Sequence, residues 1–196
     1  MNEYVPTRYP CTTSRYDEFL STLQSDRFIN LLMSSDFETS TYESNDQNAS
    51  LFNLAVSFSK KDKKLSWSTY PEHIEYKNII ADIKFQMIRD NSLTVNIDDM
   101  GTAFLLLVPG AHLQEHIDKG NFGGTTLVFP ILGTGVFTYD NATTQFEITK
   151  PTFASNTVWH NFVNMSNKLV AIMTIAMPID IAELKDPSLV SVPKRK

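Results

Sequence analysis

Several things are scarce in this chain, and each scarcity narrows what the protein can be. There is one cysteine, Cys11, in 196 residues, which excludes an intramolecular disulfide and a multi-cysteine zinc site and fits a reducing, cytoplasmic compartment. No apolar run approaches the roughly 20 residues that a membrane helix needs; the longest, Ala103–Val108 and Leu169–Met177, have the length of strands. Met1–Pro10 lacks a basic stretch followed by an apolar core, so no secretory signal is expected. Positive charge is not in excess either: the formal net charge of −5 gives no general attraction to nucleic acid or to an anionic membrane. No internal repeat is visible, and Gly120–Gly124 lacks the Lys and Ser/Thr of a phosphate-binding loop.

What is present is an ordinary globular composition, 42% hydrophobic and 20% charged, in a length that suits a single domain over residues 1–196. Ser14 and Asp17 have the spacing of a capping box, and Tyr16, Phe19, Leu20 and Leu23 recur at helical intervals, so a helix is expected there. A second helix is expected over Asp26–Met33, a strand over Leu51–Phe58 and another over Leu65–Tyr70, with Lys60–Lys64 as a solvated turn between them. Pro71–Arg89 is ambiguous. Ile79, Ile83 and Met87 fit a helix, whereas Ile83, Phe85 and Met87 fit a strand; the helical reading is preferred for its first half.

From Ser92 onward the pattern changes to short apolar or alternating runs separated by turn residues. Strands are expected over Leu93–Ile97, Ala103–Val108, Leu113–Ile117, Thr125–Ile131, Val136–Tyr139, Gln145–Thr149, Thr157–Val163 and Leu169–Met177. So many short strands predict a jelly roll, sandwich or small barrel. The chain is therefore read as mainly β with N-terminal helices: a helical and mixed support region, 1–91, on a β core, 92–178.

Two segments carry chemistry. In His116-Ile117-Asp118 the first and third side chains share a face of a strand, and His160 stands on a late strand of the same β unit. Convergence of the three would give two imidazoles and one carboxylate, the set that holds non-haem iron(II) with positions left open. Trp159 should face the opposite way and serve packing.

Taken together, Pro109-Gly110, His116-Ile117-Asp118, Thr125–Pro130 and His160 with Asn164 resemble the two-oxoglutarate-dependent iron(II) dioxygenases, in particular their aspartyl/asparaginyl β-hydroxylase-like branch. The resemblance covers Thr102–Met177 and implies a cupin-like double-stranded β-helix, with His116, Asp118 and His160 as iron ligands. It implies Fe(II) and 2-oxoglutarate as cofactors and hydroxylation of a small molecule or of a peptide or protein side chain. Family members place an Arg or Lys about ten residues after the distal His to hold the far carboxylate of 2-oxoglutarate. Here that position is Val170, and Lys168, on the same face by alternation, is the candidate anchor. Two other readings stay open. One is a cupin-type metal enzyme without 2-oxoglutarate, drawing on His112, Glu115 and His116; the other is a jelly-roll binding module without catalysis.

Overall fold

A computed structural model of the chain describes residues 4–6, 8–11, 14–34, 51–57, 74–107, 109–112, 115–118, 124–139, 144–181, 184 and 191–193. The expectations for Lys60–Lys64 and Leu65–Tyr70 lie outside these residues.

The strands are β1 (Tyr4–Pro6), β2 (Arg8–Pro10), β3 (Leu51–Ser57), β4 (Gly101–Leu107), β5 (Thr125–Leu132), β6 (Gly135–Tyr139), β7 (Thr144–Ile148), β8 (Thr152–Ser155), β9 (His160–Val163), β10 (Val170–Met177) and β11 (Ser191–Pro193). The helices are α1 (Tyr16–Leu23), α2 (Asp26–Ser34) and α3 (Ile74–Asp90). A six-stranded sheet runs β2-β8-β5-β10-β4-β3, a three-stranded sheet runs β7-β6-β9, and β1 pairs with β11. All pairings are antiparallel. Pairing crosses residue 92, since β2 and β3 are hydrogen-bonded onto β8 and β4.

The large sheet is buried on both faces, which is why its central strand β10, Val-Ala-Ile-Met-Thr-Ile-Ala-Met, reads as a continuous apolar run. Alternation sends its residues to two separate cores. Phe104, Leu106, Leu127, Phe129, Met173 and Ile175 pack under the helices. Leu105, Leu107, Val128, Val170 and Ile172 meet Phe137, Tyr139, Phe146, Ile148 and Phe162 of the small sheet. The inner core thus fixes the two sheets face to face.

Helix α3 resolves the ambiguity of its sequence. Tyr76, Ile80, Ile83 and Met87 are buried along one stripe, while Phe85, which a strand would place beside Ile83 and Met87, is 58% exposed. The helix runs through the second half of the segment as well as the first. Lys84 lies in that stripe and is buried; its Nζ donates to the Met100 carbonyl at 2.6 Å, and burial lowers its pKa to about 7.

Three further expectations are corrected. Ser14 does not cap α1: its amide and hydroxyl bond to Asp90 and Gln86 at the end of α3, and Arg15 occupies the cap position without a side-chain capping bond. Leu93, Val95 and Ile97 pack against the helix-side core, but their stretch joins no sheet among the described residues and ends in a 3-10 turn, Ile97–Asp99. The run Thr157–Val163 is not one strand. Only His160–Val163 is extended and paired, and β8 (Thr152–Ser155), which the sequence reading missed, precedes it as a strand of the other sheet.

Candidate metal centre

The segment leading to His116 runs antiparallel to β9. His116 and His160 exchange backbone hydrogen bonds, N–H to O at 2.9 and 3.0 Å, and Asn164 N–H donates to the Ala111 carbonyl at 2.9 Å. The pairing is not uniform: His112 stands opposite Val163 and His116 opposite His160, so four steps on one side match three on the other. One extra residue in one strand of a pair re-aims the side chains that follow. Ala111 belongs to the inner core, and strict alternation from it would turn residue 116 outward. The bulge brings His116 and Asp118 to the inner side with His160.

The three expected ligands come together, each offering one donor atom, with those atoms all within 4.8 Å of one another. His116 Nε2 lies 3.5 Å from Asp118 Oδ1, and the two imidazole centroids are 4.4 Å apart. His160 is almost completely buried, whereas His116 and Asp118 keep about a fifth of their side-chain surface exposed. The cluster therefore has a dry side and a wet side.

His160 is held in a state suited to ligation. Its Nδ1 donates to the Val158 carbonyl at 2.8 Å, which leaves the lone pair of Nε2 to face the cluster. Burial, reinforced by the neighbouring His116, pushes its pKa down to about 4, so the ring is neutral at neutral pH. Phe137 stacks on it with centroids 5.3 Å apart and planes 12° from parallel.

Two supports were not singled out in the sequence. Asn156 is fully buried; its backbone carbonyl accepts from Asp118 N–H at 3.0 Å, and its side-chain oxygen accepts from Gly124 N–H at 2.6 Å. Gly124 has φ +149°, and a Cβ there would come within 2.5 Å of the Met177 carbonyl oxygen, so a glycine is required. Tyr139 ties the sheets together, its hydroxyl donating to the Ser155 carbonyl at 3.0 Å. These contacts link residues 16 or more positions apart, and local spacing carries no trace of them.

Lys168 is not part of the cluster. It is exposed in the turn before β10, where its backbone carbonyl accepts from the Asn164 side chain at 2.8 Å. Asn164 is itself buried and also donates to the Leu107 carbonyl at 2.9 Å, so it closes that turn. Trp159, expected to pack, is 41% exposed.

No family profile matches the chain, and neither does any curated protein. Among solved structures, a prolyl-4-hydroxylase from Pseudomonas putida superposes with a TM-score of 0.52 at 10% identity, over 90% of this chain and 93% of that one. The chain shares that protein's fold. A cupin domain from Bordetella pertussis matches at 19% identity with a TM-score of 0.34, over 43% of this chain and 88% of its own. A predicted oxalate decarboxylase from Thermotoga maritima matches at 20% identity with a TM-score of 0.33, over 39% and 64%. At 10% identity the likeness to the prolyl-4-hydroxylase is one of fold alone.

Proposed function

We propose that the protein is a mononuclear iron(II)-dependent oxygenase that uses a 2-oxo acid as cosubstrate, with His116, Asp118 and His160 as the metal ligands. The observation that carries this reading is the inward-facing cluster of two imidazoles and one carboxylate. Its donors fit a divalent ion of intermediate softness and leave the remaining coordination positions to small ligands. The fold shared with a prolyl-4-hydroxylase supports the same reading.

When bound, such a metal supplies oxidation of an unactivated C–H bond coupled to decarboxylation of the 2-oxo acid. The balance is R–CO–COO⁻ + O₂ + R′–H → R–COO⁻ + CO₂ + R′–OH. The C1–C2 bond of the oxo acid breaks, and one oxygen atom goes to each organic product. The protein's own contribution is to hold His160 neutral and oriented through Val158, to fix Asp118 through Asn156, and to keep the buried side of the site dry with Phe137.

The fit of 2-oxoglutarate itself is poorer than that of the metal. Val170, which stands where family members carry the cation, is fully buried, and Lys168 is exposed in the turn before β10. The proposal is therefore confined to 2-oxo acids as a class. The hydroxylated substrate is a small molecule or a peptide side chain, and the acidic chain is not adapted to nucleic acid.

Anaerobic titration of the iron(II) protein with 2-oxo acids tests this reading. A visible metal-to-ligand charge-transfer band is expected in the wild type and should be lost in His116→Ala, Asp118→Ala and His160→Ala. Iron binding with no band from any 2-oxo acid would instead support a cupin-type metal enzyme.

A further inference from the structure

Helix α3 rests on the six-stranded sheet through an apolar stripe, and one residue of that stripe carries an amine. Lys84 stands among Ile80, Ile83 and Met87 with 1% of its surface exposed. Its Nζ donates at 2.6 Å to the carbonyl of Met100, the residue before β4. Residues 84 and 100 lie on either side of the end of α3 and the 3-10 turn Ile97–Asp99, so the bond closes that connection on itself.

The surroundings suit the neutral amine. Met100, Thr102 and Phe104 alternate onto the helix-covered face of β4, where the Thr102 hydroxyl is buried without a hydrogen-bond partner. A layer that leaves a neutral hydroxyl unsatisfied has little with which to solvate an ammonium. Among the described side chains, the charged groups of neighbouring elements have other partners. On α3, Asp82 acts on Arg15, and Arg89 pairs with Asp90; on α2, Arg27 lies over the Tyr76 ring. β4 and β10 contain no charged residue. Asp98, in the 3-10 turn, attracts Lys84 but is exposed, so water screens the attraction. Burial outweighs it and brings the pKa of Lys84 from its ordinary 10.5 down to about 7.

We infer that Lys84 is a protonation-sensitive tether: neutral, it docks the second half of α3 on the start of β4, and protonated, it favours states in which that contact opens and the ammonium reaches water. The device stands on the helix-covered face and is independent of the oxygenase reading. In an opened state the amine binds a proton with its ordinary high affinity, and in the docked state with a low one. The docked state is therefore undisturbed above pH 10.5 and loses ground as pH falls towards 7, where the loss levels off. Between those limits each opening takes up one proton, so the opening equilibrium grows about tenfold for each unit of pH lost. His160, with its pKa near 4, titrates below this window.

Amide hydrogen exchange of the full chain, followed by mass spectrometry from about pH 7.5 to 9.5 and corrected for intrinsic exchange, tests the tether. In the wild type, peptides from α3 and from Ile97–Met100 should show an opening equilibrium that rises about tenfold per unit of falling pH. In Lys84→Met, which keeps the apolar stem without the amine, the same peptides should open less, and to the same extent at every pH. An opening equilibrium that is independent of pH in the wild type, or a pH dependence that persists in Lys84→Met, would overturn the inference.

Discussion

The two faces of the six-stranded sheet are made by the same strands and differ in what they are for. On the helix-covered face the side chains are large and closed to solvent: Phe104, Leu106, Phe129, Met173 and Ile175 are each 1% exposed or less. On the inner face of β4 and β10 size falls from Leu107 and Val170 at one end to Gly101 and Ala176 at the other, the end at which His116, Asp118 and His160 meet. Because neighbouring residues of a strand point to opposite faces, one strand can serve stability with its odd positions and a ligand site with its even ones. β10 does so. The two roles should therefore be separable by mutation.

The strongest test of that separation is Phe129→Ala. Phe129 is fully buried and its ring meets Tyr16 edge-on at 5.3 Å, so its truncation should cost ~3–5 kcal/mol in denaturant unfolding while the folded fraction keeps its iron affinity. A parallel loss of affinity would break the comparison. Acid gives the next effect, on the inner side. His160 is held neutral with its pKa lowered to about 4, so the unfolded state takes up a proton more readily. The stability it contributes is whole above about pH 6.5 and is lost as pH falls towards 4, by ~3 kcal/mol. Metal-free protein unfolded at a series of pH values should show this slope, and His160→Gln should lack it.

Asn156→Ala probes the link between the faces. It removes the acceptor of Gly124 N–H at a fully buried position, which should cost ~2 kcal/mol and, by loosening the backbone carbonyl that receives Asp118 N–H, weaken iron binding by up to about 10-fold. Stability lost with iron affinity intact would show that Asn156 serves the fold alone. Trp159→Ser should do least. With 41% of its surface exposed, Trp159 lies outside both cores, and the change should stay within about 0.5 kcal/mol. A larger loss would mean that a third packed region exists.

Legibility in the sequence followed the range of the interactions. β4, β5, β6, β7 and β10 were readable because each is an apolar or alternating run bounded by turn residues. The pairing of His116 with Asp118 was readable because a two-residue spacing is itself the strand period. The bulge that turns both inward was not, since it exists only as a mismatch with β9. Nor was the start of β9 at His160, since the run from Thr157 gives no sign of where pairing with β6 begins, nor β8, which the sequence reading did not place. Phe137 on His160 and Asn156 on Gly124 join distant segments, and no local rule predicts them. The helix in α3 could be settled only by burial of Ile83 and Met87 with Phe85 outside.

The central claim is that His116, Asp118 and His160 form one metal site on the inner face. Anaerobic calorimetric titration with iron(II) measures it directly. One equivalent should bind the wild type, and each alanine variant should lose at least about 100-fold in affinity, ~2.7 kcal/mol, while unfolding cooperatively. Wild-type protein that takes up no iron, or affinity that survives all three substitutions, would contradict it.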